Sequence, residues 1–188
     1  HERIVTIAVR MPQQVTVATL LSQVLSESGL SAVSERVADH HRAALLAAAF
    51  YVNGWRLEML VPEARTWPRA ERRSVTLRGR HDLAQHFTVS AFLSAFAGTA
   101  LASMAGIYKE MDDARRGSGF SFSDLAADRA GTLLGELLTK SPESALRLRK
   151  LLASGPTEND LMPPVSGLPD NMSQAEFARR FGGVGAPA

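Results

Sequence analysis

Asp82, His86 and Ser90 stand four residues apart, a spacing that puts all three on one face of a helix. In that order an aspartate can orient a histidine and the histidine can reach a serine hydroxyl. Three side chains on one helix seldom reproduce triad geometry, and no Gly-x-Ser-x-Gly turn surrounds Ser90. The plainer reading is an aspartate at a helix start holding a buried histidine. Farther along, Glu110 and Asp113 are three residues apart, so both carboxylates can look the same way. Glu110 follows a long uncharged run, and burial there would raise its pKa. A protonated glutamate near an ionised aspartate is the acid/base pattern of glycan hydrolysis. The competing reading is an exposed pair between Lys109 and Asp113.

Asp124, Asp128, Gly131 and Gly135 fall near one helix face. Glycines beside Asp128 imply that this face packs tightly on a neighbour. Asp128 is then partly buried, which is costly unless it is bonded. His86, Glu110, Asp113 and Asp128 are therefore the candidate site residues. Such a set can serve as catalytic acids and bases, as N/O metal ligands, or as a closed network tying three helices together. Spacing alone favours the network, then acid/base catalysis, then a metal. No cofactor is expected, and no spacing is diagnostic of a metal.

These side chains need helices to position them. Val17, Leu20, Leu21, Val24 and Leu25 predict a helix over 14–28, and further helices are predicted over 31–52, 82–97, 99–115, 123–139 and 142–153. Residues 2–11 read as a short strand or an extended arm. Trp55–Leu60 and Val75–Leu77 alternate as strands do and are expected to pair as a minor hairpin across the Pro62–Pro68 loop. His40 and His41, with no matching ligand nearby, read as surface or interface histidines. Ser121 or Ser123 caps the helix that follows. Phe87–Tyr108 runs 22 residues without a charge, long enough to cross a membrane. Its richness in Ser, Thr, Ala and Gly favours a buried helix or helical hairpin instead. Ser90, Ser94, Gly98, Ala102 and Gly106 form a small-residue stripe along it. Residues 1–153 read as one helical domain with its central unit at 82–139. Residues 154–188 read as a Pro/Gly-rich arm with a short helix from Ser173.

Composition sets outer limits. With 45% hydrophobic and 21% charged residues the chain is globular. The absence of cysteine excludes disulfides, thiolate zinc sites and a cysteine nucleophile. A net charge of +2 gives no reason to expect nucleic acid. Arg65, Arg69, Arg72, Arg73, Arg78 and Arg80 crowd together, opposed only by Glu63 and Glu71. That run reads first as a solvated connector and second as a contact for an anionic surface. No signal peptide is legible, and a start at His1 fits a removed leader or a tag remnant equally.

The central unit resembles the YfiM-like family of bacterial envelope lipoproteins. The likeness rests on Asp82, Ala84-Gln85-His86-Phe87, Ser90-Ala91, Lys109-Glu110 and Asp113. It continues through Gly117-Ser118-Gly119-Phe120-Ser121-Phe122, Asp124-Leu125, Asp128 and Gly131. Leu83 stands where the family has lysine, and the lipidated cysteine has no counterpart here. A fainter likeness to VanZ-type membrane proteins rests on the order of the acidic residues and the histidine. The resemblance implies an exported protein, periplasmic or associated with the outer membrane, and supplies no activity.

The expectation is a mainly α, compact helical domain of about six helices with a minor β-hairpin and an extended C-terminal arm. The leading functional reading is an envelope protein that hydrolyses cell-wall glycan, with Glu110 as general acid and Asp113 or Asp128 positioning water. The alternative is a non-enzymatic scaffold that binds an envelope partner and uses the same residues as a buried network. A membrane-inserted helix hairpin ranks third.

Overall fold

The computed structural model describes residues 1–26, 37–96, 121–170, 172, 173, 176, 179 and 180. The helix expected over 99–115, with Lys109, Glu110 and Asp113, and the glycine-rich turn at 117–119 lie outside the described residues. Within them the fold is mainly helical, with seven α-helices and one two-stranded parallel sheet. No helix among the described residues is long and apolar enough to cross a membrane.

Helix α1 spans Glu2–Arg10, where a strand or extended arm was expected. Its buried residues Ile4, Ile7, Ala8 and Met11 follow the helical i, i+3, i+4, i+7 spacing. Glu2 in the first turn and Arg10 in the last oppose the helix dipole. Strand β1 (Gln14–Thr16) and helix α2 (Val17–Ser26) follow, so the helix expected from 14 starts only at Val17.

The expected hairpin between 55 and 78 does not form. Leu57–Met59 and Pro62–Thr66 are short 3-10 turns, and Trp55 packs edge-on against Phe50 at a ring-centroid distance of 5.5 Å. Strand β2 (Ser74–Thr76) pairs in parallel with β1, with Val15 opposite Val75. Arg73 explains the choice of partner. Its guanidinium Nε donates to the Ala8 carbonyl at 2.9 Å, meeting one of the bare carbonyls at the end of α1. The next residues are thereby laid beside β1.

Helix α3 (Val37–Asn53) buries Leu45, Ala48, Ala49 and Val52. It also buries His41, which is 1% exposed and not a surface histidine. Its Nδ1 lies 2.8 Å from the Leu138 carbonyl, one of the unpaired carbonyls at the end of a helix 97 residues further along the chain.

Helices α4 (His81–Ala95), α5 (Phe122–Thr139) and α6 (Pro142–Ala153) lie close to their expected ranges. Ser121 and Ser141 are N-caps that accept from the amides of Asp124 and Ser144 at 3.2 Å each. Gly131 and Gly135 let α4 and α5 touch backbone to backbone. A Cβ on Gly131 would sit 2.1 Å from the Phe87 carbonyl oxygen, and one on Gly135 would sit 2.2 Å from that of Ala91. Ser94 donates across the same seam to the Thr132 carbonyl at 2.7 Å. Leu20, Leu21, Leu45, Leu77, Leu83, Phe87, Leu138 and Leu152 fill the core beside this seam.

After α6 the chain makes one helical turn, α7 (Glu158–Leu161), and then runs extended along the domain. Glu158 accepts from the Arg78 amide at 2.9 Å, and the Arg78 guanidinium donates to the Met162 carbonyl. The Phe122 amide donates to the Pro169 carbonyl at 3.1 Å. Met162 and Met172 are 1% and 3% exposed, so this stretch contributes apolar side chains to the buried interior.

Candidate functional site

The α4–α5 seam carries the polar cluster. His86, Ser90 and Ser94 line one face of α4, and Asp124, Asp128 and Thr132 line the facing side of α5. Asp128 Oδ1 accepts from Ser90 Oγ at 2.7 Å and lies 3.2 Å from His86 Nδ1. One carboxylate oxygen of α5 therefore holds two side chains of α4. On the other edge of the ring, His86 Nε2 is 3.7 Å from Asp124 Oδ2. The imidazole is set between two aspartates. The side chains of His86 and Asp128 remain 31% and 34% exposed.

Asp82 does not take part as the linear relay required. It turns away to form a two-pronged pair with Arg80, with Nε to Oδ1 at 3.1 Å and Nη2 to Oδ2 at 2.5 Å. Ser90 spends its proton on Asp128 rather than facing His86. The relay read from the four-residue spacing is thus corrected: the spacing places the three side chains on one helix face, but their partners come from other elements.

Arg80 reaches this position through a tight turn. Arg78 and Gly79 both have positive φ, 55° and 74°, and paired bonds between Leu77 and Arg80 close the turn at 2.9 and 3.0 Å. Arg80 then pairs with Asp170 of the C-terminal arm and lies 3.6 Å from Asp124 Oδ1. Asp170 Oδ1 also accepts from Ser121 Oγ at 2.7 Å and from the Ser123 amide at 3.1 Å, at the start of α5.

The electrostatics follow from these contacts. Burial pushes the Asp124 carboxyl above its usual range, the Asp82 charge adds to that, and His86 and Arg80 pull it back. Asp124 Oδ1 is buried without a hydrogen bond, an expensive state for a charged oxygen. The hydrogen bond from Arg80 holds Asp82 below its usual range. Burial works to raise Asp170, but its bonds from Ser121, Arg80 and Ser123 prevail and bring it to about 2. Bonds to Asp82 and Asp170 outweigh partial burial and keep Arg80 firmly protonated.

Of the four candidate residues, His86 and Asp128 meet, while Glu110 and Asp113 lie outside the described residues. Sequence reasoning placed Asp124 on the right face and used it only with Ser121 as an N-cap signal, although its position one turn before Asp128 was available as a signal for the site. Arg80 and Asp170 were missed, and nothing in their spacing marks them. Among the described residues no three His, Asp or Glu side chains converge as ligands for a metal ion. No protein-family model matches the chain, and no curated protein or solved structure matches it either.

Proposed function

We propose that this chain is an exported cell-envelope protein that hydrolyses a cell-wall glycan by general acid–base chemistry at the α4–α5 cluster. The observation that carries the proposal is His86 held between Asp128 at Nδ1 and Asp124 near Nε2. Asp128 orients the ring, as an aspartate does in hydrolase sites. In the reaction His86 takes a proton from water, whose oxygen bonds to the anomeric carbon as the glycosidic C–O bond breaks. The two aspartates offset the charge of the imidazolium that forms. Glu110, assigned as the acid from the sequence, gives its proton to the departing sugar oxygen. The envelope setting rests on the resemblance of residues 82–135 to the YfiM-like proteins, and the glycan on the spacing of the Glu110 and Asp113 carboxylates in the sequence.

A second reading has one observation in its favour. The polar bonds also join separate elements, with Ser90 and His86 of α4 bound to Asp128 of α5 and Asp170 bound to both Arg80 and Ser121. In that case the cluster is the lock of a scaffold. Release of soluble fragments from peptidoglycan, measured for the parent, His86→Gln and Asp124→Asn, separates the two. The hydrolase reading expects turnover by the parent and a fall of at least about a hundredfold in both variants. It also expects unchanged or raised thermal stability for Asp124→Asn, because a costly buried charge is removed. A parent without turnover, together with a lowered Tm for Asp124→Asn, would leave the scaffold.

A further inference from the structure

A cleft lies away from the seam, between α1, α3 and the turns of residues 54–72, with a volume of about 410 Å³. We propose that it binds a small carboxylate carrying an aromatic ring. Its walls include Phe50, Tyr51, Trp55 and Trp67. The chain has only two tryptophans, and both are here. Trp67 stays 38% exposed instead of joining the core. A flat side chain left open beside other rings in the wall of a cleft favours a flat apolar ligand.

The charge in the cleft is one-sided. Arg56, Arg69 and Arg72 line it against a single carboxylate, Glu58, which is already paired with Arg56. No carboxylate of the described residues pairs with Arg69 or Arg72 within ion-pair range. Arg72 is nonetheless built into place. It donates from Nη1 to the Tyr51 carbonyl at 2.9 Å and lies 6.0 Å from the centre of the Tyr51 ring. The Asn53-Gly54 turn makes room for it: Gly54 has φ +71°, and a Cβ there would stand 2.4 Å from Arg72 Nη2. The bond to Tyr51 uses one of the donors of the fork, and the others are available to a carboxylate. Arg73, Arg78 and Arg80 of the arginine run bind Ala8, Met162 and Asp170, and Arg65 does not line the cleft, which separates Arg69 and Arg72 as the pair with charge to offer there.

Because both tryptophans line the cleft, the intrinsic emission of the whole protein reports on it. Phenylpropionate and its neutral analogue phenylpropanol are titrated into the full chain, with excitation at the red edge of the tryptophan band. The expected result is a saturable emission change with the carboxylate and binding of the alcohol weaker by about tenfold or more, the effect of one lost charge-assisted contact. Arg69→Gln should weaken phenylpropionate by about tenfold at unchanged Tm, since Arg69 is exposed and bonds to no other side chain among the described residues. Arg72→Gln should do the same but can loosen the Tyr51 turn, so Arg69→Gln is the deciding variant. The proposal is overturned by the absence of a saturable change, by equal binding of the alcohol, or by equal binding to Arg69→Gln.

Discussion

Replacing Gly131 by alanine tests whether the α4–α5 seam is as close as described. In an open helix this change stabilises by about 1 kcal/mol, because alanine loses less backbone entropy. Here the new methyl would lie 2.1 Å from the Phe87 carbonyl oxygen and 2.9 Å from its carbon, both backbone atoms that no rotamer change can move. The helices must part by roughly 1 Å, and a close-packed interior resists that. Overpacking of this kind costs about 1–3 kcal/mol, and parting the seam also loosens Phe87 and Ala91, both 0% exposed. The net expectation is destabilisation by about 1–3 kcal/mol. In a chain of this size each kcal/mol lowers Tm by about 2–4 °C. Circular dichroism melts and urea titrations of Gly131→Ala, Gly135→Ala and the double variant measure it. Once the helices have parted for one methyl, the second should fit at little extra cost, so the double variant should fall short of the sum. A Gly131→Ala protein about 1 kcal/mol more stable than the parent would refute the close seam, and the placement of His86 against Asp128 with it.

Two further predictions concern pH. The folded-state pKa of Asp170 is about 2, below the usual aspartate value of 3.8. Its ionised form therefore stabilises the fold above that usual value, and the contribution fades as pH falls from there towards 2. Asp170→Asn should lower Tm at neutral pH, with the gap to the parent closing in that acid window; a gap independent of pH would count against the clamp on Arg80 and Ser121. Burial lowers the pKa of His41 against the raising effect of its bond to Leu138, with Arg149 and His40 adding to the fall. The fold thus favours neutral His41, and this preference is fully present above the usual value of 6.5 and lost as pH falls below it. His41→Gln should lose about 1–3 kcal/mol at neutral pH through the disturbed bond to the Leu138 carbonyl. It should also lack the parent's decline in stability below pH 6.5, and a melt-versus-pH curve parallel to the parent's would show that His41 is not the group responsible.

Helices over 81–95, 122–139 and 142–153 were legible in the chain because their causes are local. Apolar period, Ser caps and Pro at a first turn act between residues a few positions apart. The glycine face of α5 was legible for the same reason, and so was the partial burial of Asp128 beside it. Helix α1 was also written in the spacing of Ile4, Ile7, Ala8 and Met11, but the alternation within 2–11 obscured it. Pairing between elements was not legible. Val75 has as good an alternation for a hairpin as for the parallel partner it finds in Val15, and the choice is made by Arg73 reaching the end of α1. Asp82 and Ser90 are both one turn from His86, yet one turns to Arg80 and the other to Asp128. Burial of His41 depended on a carbonyl 97 residues away. A sequence fixes the hydrogen bonds that a helix makes with itself, since each donor and acceptor is four residues from its mate. A side chain chooses its partner only after the core has brought distant elements within about 3 Å of each other, and for His86, Asp124, Arg80 and Asp170 that approach was set by the packing of α4, α5 and the C-terminal arm.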